Sequence, residues 1–180
     1  MQERRLAPII LFVYRRPDHT RLVLEALKRN PEAAECELII YSDGSRGRAD
    51  AAAVDQVRAL CRTITGFRRT HLIERPRNLG LAESVLAGVT ETCLSHGRVI
   101  VLEDDLIVSP HFLGYMNEAL TRYANDPSVL QVSGHLFPVE WTAPTDAAFL
   151  PMSTSWGWAT WQRAWSEFIP GEALWSKVEL

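Results

Sequence analysis

The hydrophobic positions of this chain fall into short continuous runs separated by amphipathic stretches. Residues 8–14 (PIILFVY), 37–42 (ELIIYS) and 98–108 (RVIVLEDDLIV) each carry an apolar, β-branched run bounded by turn signals. Such runs read as strands buried on both faces, as in a parallel sheet covered by helices. Residues 69–74 (RTHLIE) predict a third, more exposed strand, and 129–133 a fifth that ends at Gly134. Helical spacing fills the gaps: Leu22, Leu24, Ala26 and Leu27 up to Asn30-Pro31, then residues 49–63, 81–94 and 110–123. Pro17 suits a first helical turn and pushes Arg16 toward extended backbone. Residues 147–150 suggest a further short strand, and 155–165 (SWGWATWQRAW) a tight turn leading into a helix.

Four successive strand–loop–helix units predict a mostly parallel, doubly wound α/β sheet with right-handed crossovers. Ligands of such sheets bind outside the carboxyl ends of the strands. Three polar loops fall at that edge: Arg15-Arg16-Pro17, Ser42-Asp43-Gly44-Ser45 and Glu103-Asp104-Asp105.

Composition narrows the class. The 180 residues suit one domain spanning 1–180, and 47% hydrophobic with 23% charged residues is ordinary for a globular protein. A net charge of −3 argues against a nucleic-acid partner. No apolar run approaches the ~20 residues that span a bilayer, and the first apolar stretch reads as a strand rather than a leader peptide. Three widely spaced cysteines without CxxC suggest neither a disulfide framework nor a zinc site, which points to a reducing, cytoplasmic setting. The six tryptophans are uneven: all lie between Trp141 and Trp175.

The sharpest chemistry is the acidic triplet. Three carboxylates at a strand end repel one another and are costly to desolvate, and a cation removes that cost. Hard carboxylate oxygens suit Mg²⁺ or Mn²⁺, ions that leave positions for substrate phosphates. Alternate residues of an extended end point the same way, so Glu103 and Asp105 face one ligand; a solvated acidic loop is the plainer alternative. Asp43 reads either as a carboxylate for a ribose or base, or as an Asx turn. Arg15, Arg16, Arg75 and Arg77 are candidates for an anion or for plain surface charge. Asn78-Leu79-Gly80 opens a helix where backbone N–H groups receive a phosphate, or where Asn78 simply caps. Trp156-Gly157-Trp158 suits a sugar-binding wall, with Trp161 and Trp165 expected in the core. There is no GxGxxG and no GxxxxGK[ST].

Taken together, PIILFVYRRPDHTRLVLEAL, IIYSDGS, ERPRNLGLAESV, VIVLEDDLIVSPHFLGYMNEAL, VSG and STSWGWATWQRAW occur in an order that resembles GT-A fold glycosyltransferases. The chain is most similar to bacterial proteins of the N-acetylglucosaminyltransferase I type and, more distantly, to the inverting family-two transferases. The resemblance implies a three-layer α/β/α nucleotide-diphospho-sugar transferase sheet, a UDP-sugar donor, Mn²⁺ or Mg²⁺, and a glycan or other hydroxyl acceptor. It implies that Asp105 ligates the metal, that Glu103 and Asp104 lie by the donor sugar and ribose, and that Arg15, Asp43, Asn78, Leu79 and Gly80 line the nucleotide. Trp156-Gly157-Trp158 would stand on the sugar and acceptor side. It further implies a catalytic carboxylate beyond the Gly-Trp segment; Glu167, Glu172 and Glu179 are the acids there, and none matches it. The chain is therefore expected either to be a transferase or to be a nucleotide-sugar or glycan-binding module cut short at its C-terminus.

Overall fold

The computed structural model describes residues 5–138 and 147–168. Six strands form one mixed sheet: β1 (Ile9–Val13), β2 (Glu37–Ser42), β3 (Arg69–Glu74), β4 (Arg98–Glu103), β5 (Val132–Ser133) and β6 (Trp158–Trp161). The helices are α1 (Pro17–Lys28), α2 (Arg48–Arg62), α3 (Leu81–His96), α4 (Phe112–Arg122) and the single turn α5 (Gln162–Trp165). The spatial order is β3-β2-β1-β4-β6-β5. The first four are parallel, and β6 runs antiparallel to both β4 and β5.

Period-two alternation divides each central strand between two cores. Ile9, Leu11, Leu38, Ile40, Ile100 and Leu102 face α1, α2 and α4. Ile10, Phe12, Ile39, Tyr41, Val99 and Val101 face α3, where Val89 and Cys93 meet them. β1, β2 and β4 are thus covered on both sides, as their unbroken apolar runs predict. β3 closes the far edge and stays partly exposed. All three cysteines are buried and free. Among the described residues no helix is long and apolar enough to cross a membrane.

β4 ends at Glu103, which pairs with Phe12, just before β1 itself ends at Val13, so the acidic triplet stands at the strand end as expected. Two expectations need correcting. Residues 129–131 and 147–150 are irregular, and β5 is only Val132–Ser133. In the segment 155–165, read as a tight turn leading into a helix, residues 158–161 are strand and only 162–165 are helical. Its tryptophans at 158, 161 and 165 imitate helical spacing, but β4 has a free edge, and residues 158–161 satisfy it. Trp158 joins the α3 face and Trp161 the opposite core, where its indole N–H donates to the Leu120 carbonyl at 2.9 Å.

α3 leads the chain from β3 back across β1 to β4, so the strand order reverses between β1 and β4. That switch point opens a crevice at the carboxyl ends of the two strands.

Candidate functional site

Register brings the polar loops to one level. Phe12 pairs with Glu103 and Val13 with Ser42, so Tyr14-Arg15-Arg16, Asp43-Gly44 and Asp104-Asp105 leave the sheet together. Arg16 spans the switch point. Its guanidinium bonds both Asp104 and Asp105, the latter at 3.0 Å. Asp104 is 1% exposed and also accepts the Tyr14 backbone N–H at 3.2 Å. Burial works against the Arg16 charge, but the two carboxylates win and hold its pKa raised. Glu103 has no such partner: burial first, then the charges of Asp105 and Asp104, push its carboxyl up.

Asp43 is an organiser of the neighbouring loop. Its carboxylate accepts the N–H groups of Gly44 (2.9 Å), Leu79 (2.9 Å) and Gly80 (3.0 Å). Asn78 adds a bond from Nδ2 to the Gly44 carbonyl at 2.9 Å, and Arg46 Nε donates to Asn78 Oδ1 at 3.2 Å. Arg58 braces the same junction from α2, donating to the Arg75 carbonyl at 2.6 Å. The two loops touch at Gly44, where a Cβ would lie 2.7 Å from the Arg77 Cα and carbonyl oxygen. Only glycine permits that approach.

Together these groups enclose a cleft of about 170 Å³. Phe12 stacked on Tyr41 (5.3 Å between centroids) forms its apolar wall. Asp43, Asn78, Gly80 and Ser84 stand on one side, and Glu103, Asp104 and Arg16 on the other. An outer hollow of about 270 Å³ continues from it, lined by Tyr14, Arg15, Arg16 and Arg46. Arg15 is held there by Asp50 at 2.8 Å, and the Tyr14 hydroxyl donates to the same carboxylate at 2.6 Å. Those two bonds, Tyr14's first, keep the Asp50 pKa low.

The residues singled out from the sequence therefore divide. Asp43, Asn78, Gly80, Glu103 and Asp104 line the cleft, Arg15 lines the outer hollow, and Asp105 hangs at the rim on Arg16. Trp156, Gly157 and Trp158 line neither. Trp156 is exposed and packs on His135 (4.7 Å), Gly157 (φ 70°) accepts the Gly134 N–H at 2.8 Å, and Trp158 lies against Trp165 at 5.9 Å. Trp161 is buried, whereas Trp165 is only partly so. Glu167 is exposed beyond α5, while Glu172 and Glu179 lie outside the described residues. Sequence reasoning missed Tyr14, Arg46, Arg58 and Ser84. Of the two adjacent arginines it favoured Arg15, yet Arg16 makes the bridge to the acids.

For a metal, the donor set is hard oxygen, and a guanidinium already sits as a cation between two of the three carboxylates. Among the described residues no three acids, histidines or cysteines converge into a cage. An open site, in which one or two carboxylates hold Mg²⁺ or a similar ion together with substrate phosphates, needs no such cage; Asp105, with its side chain 42% exposed, is the bridged acid that solvent reaches.

The chain matches the model of glycosyl transferase family 2 over residues 9–167 and belongs to that family. Among solved structures it is similar to the mannosyltransferase PcManGT from Pyrobaculum calidifontis in complex with GDP-Man and Mn²⁺, at 16% identity and a TM-score of 0.46, over 71% of this chain and 35% of that one. It is also similar to TarS of S. aureus (12% identity, TM-score 0.46, 65% of this chain, 20% of that one). For apo GlyE of Streptococcus pneumoniae TIGR4 the values are 12% identity, a TM-score of 0.43, 89% of this chain and 35% of that one. The chain thus spans about a third or less of the length of these proteins. No curated protein matches it.

Proposed function

We propose that this chain transfers a sugar from a UDP-sugar donor to a hydroxyl of a glycan or similar acceptor, with inversion and with a divalent cation. The observation that carries this reading is the cleft at the switch point, in which an apolar ring wall, an arginine-lined mouth and an acidic strand end adjoin. The ring wall and the Asp43–Asn78–Gly80 loop take the nucleoside. Arg15, Arg16 and Arg46 at the mouth take the diphosphate, for which guanidinium forks are suited. Glu103 and Asp104 face the ribose and donor sugar. Asp105, at the rim, would hold Mn²⁺ or Mg²⁺, which when bound supplies positive charge against the leaving diphosphate. The acceptor oxygen attacks the anomeric carbon opposite that diphosphate as a carboxylate removes its proton, so the product has inverted configuration. Trp156, Gly157 and Trp158, just before and at the start of β6, form the sugar and acceptor side.

The test is incubation with UDP-sugars and Mn²⁺, with and without sugar acceptors, following UDP release. We expect acceptor-stimulated release that Asp105→Asn abolishes. UDP binding without any release would make the chain a donor-binding module, and no binding of UDP at all would refute the assignment.

A further inference from the structure

Ser84 lines the cleft with a buried polar atom that has no hydrogen-bond partner. It sits in the first turn of the sixteen-residue helix α3 and is 6% exposed, and its Oγ has no hydrogen-bond partner. A helical serine ordinarily satisfies its hydroxyl on the carbonyl four residues back. Here that carbonyl, Gly80, receives the Ser84 backbone N–H at 3.1 Å, and Ser84 is among the residues that line the cleft. The helix start itself has no side-chain cap. Its first N–H groups are therefore left as donors beside the hydroxyl. A buried hydroxyl without a partner is destabilising, and a site that keeps one gains from it only when a ligand arrives.

The neighbours say what that ligand is. Ser84 stands at the end walled by the Phe12 and Tyr41 rings, away from the Arg15-lined hollow. A flat apolar wall takes a planar heteroaromatic ring, and the mouth takes phosphates. Asp43, across the same end, uses three of its roughly four acceptor positions on backbone N–H groups, which leaves about one. This end therefore offers a hydroxyl and helix N–H donors next to a single acceptor. The complementary edge carries a keto oxygen adjacent to a ring N–H. Uracil and guanine have that edge; cytosine has an amino group and a bare ring nitrogen instead.

Resting on the donor-binding reading above, we propose that Ser84 Oγ donates a hydrogen bond to a keto oxygen of the nucleobase and so makes Ser84 a base-specificity residue of this cleft. It reads the base from the start of α3 and takes no part in bond making or breaking.

The experiment is calorimetry of UDP, GDP, CDP and pyrophosphate, each with Mn²⁺, on the full chain and on Ser84→Ala, beside thermal unfolding of both proteins without ligand. We expect wild type to prefer UDP or GDP to CDP, the pair also deciding which ring the cleft admits. Ser84→Ala should weaken the preferred nucleotide about tenfold, the worth of one hydrogen bond. It should leave CDP and pyrophosphate unchanged and leave the unliganded melting temperature equal or higher. A structural serine would do the reverse, lowering the melting temperature with no change in base preference. Equal UDP, GDP and CDP affinities before and after substitution would overturn the role of Ser84 while the donor-binding reading stands. If wild type binds no nucleotide, that reading falls and this one with it.

Discussion

Replacing Gly44 by alanine tests whether the cleft depends on two loops being pressed together. The added Cβ would lie 2.7 Å from the Arg77 Cα and carbonyl oxygen and closer still to the carbonyl carbon. Ordinary contact needs about 3.5 Å, so the loop carrying Arg77 must retreat by ~1 Å. Bonds of 2.9, 3.0 and 2.9 Å, from Leu79 and Gly80 to Asp43 and from Asn78 to the Gly44 carbonyl, then stretch past the limit of a hydrogen bond. Two of these end on a carboxylate and are worth roughly 1.5–3 kcal/mol each; the third is worth about 1 kcal/mol. Complete loss would cost about 4–7 kcal/mol, but water reaches the partly exposed loop and replaces some of it. A net destabilisation of about 2–4 kcal/mol follows, a large part of a typical domain's stability. Urea denaturation measures it, with an unchanged slope showing that the folded state stays compact. Gly47, with nothing within 4 Å of a Cβ and extended backbone at φ 178°, is the internal control. Gly47→Ala, which changes only the N-cap of α2, should cost no more than about 1 kcal/mol. If Gly44→Ala does so as well, the loops are not held as described.

Further outcomes follow from the same contacts. Arg16→Met should destabilise the chain by about 2–3 kcal/mol in urea titrations, less than for a fully buried pair because Arg16 is itself half-exposed. UDP binding measured by calorimetry should require Mn²⁺, and Asp105→Asn should remove most of that dependence; an unchanged affinity would contradict the metal assignment. Burial pushes the Cys36, Cys61 and Cys93 thiols up to about 12, so none should react with a thiol reagent at pH 8 until urea unfolds the chain. Tyr41 is likewise pushed up to about 12, by burial and then by Glu91. Its folded pKa lies above the unfolded value near ~10, so its contribution to stability is intact below pH ~10 and lost as the pH rises toward 12. Tyr41→Phe should flatten the alkaline loss of stability across that window.

How far the residues announced this arrangement varied with the range of the interaction. Three of the four parallel strands, β1, β2 and β4, were legible because both faces are buried, which leaves continuous apolar runs. The strand at Trp158–Trp161 was not, since what makes it a strand is the open edge of β4 some sixty positions earlier. Its helical spacing was a local coincidence overridden by that edge. In the site, Asp43-Gly44-Ser45 was legible as a turn or a ligand, but the carboxylate's bonds to residues 79 and 80 cross thirty-six positions and leave no local mark. Two adjacent arginines were visible, while the turn of the chain at Arg16 (φ −121°, ψ 74°) decides which reaches the acids. Ser84 looked like any polar residue of an amphipathic helix.

The insertion of β6 beside β4 has a consequence for synthesis of the chain. As the polypeptide emerges, β1 to β4 can pair as soon as Glu103 is clear, yet the other edge of β4, with Val99, Ile100, Val101 and Leu102, stays open until Trp161 has followed. At ~5–20 residues per second that interval lasts several seconds. During it the apolar strand that ends in the acidic triplet is an unprotected edge, able to pair with another nascent chain. The carboxylates of Glu103, Asp104 and Asp105 close one end of that edge with like charge, so before they meet any ligand they act as gatekeepers for the folding chain.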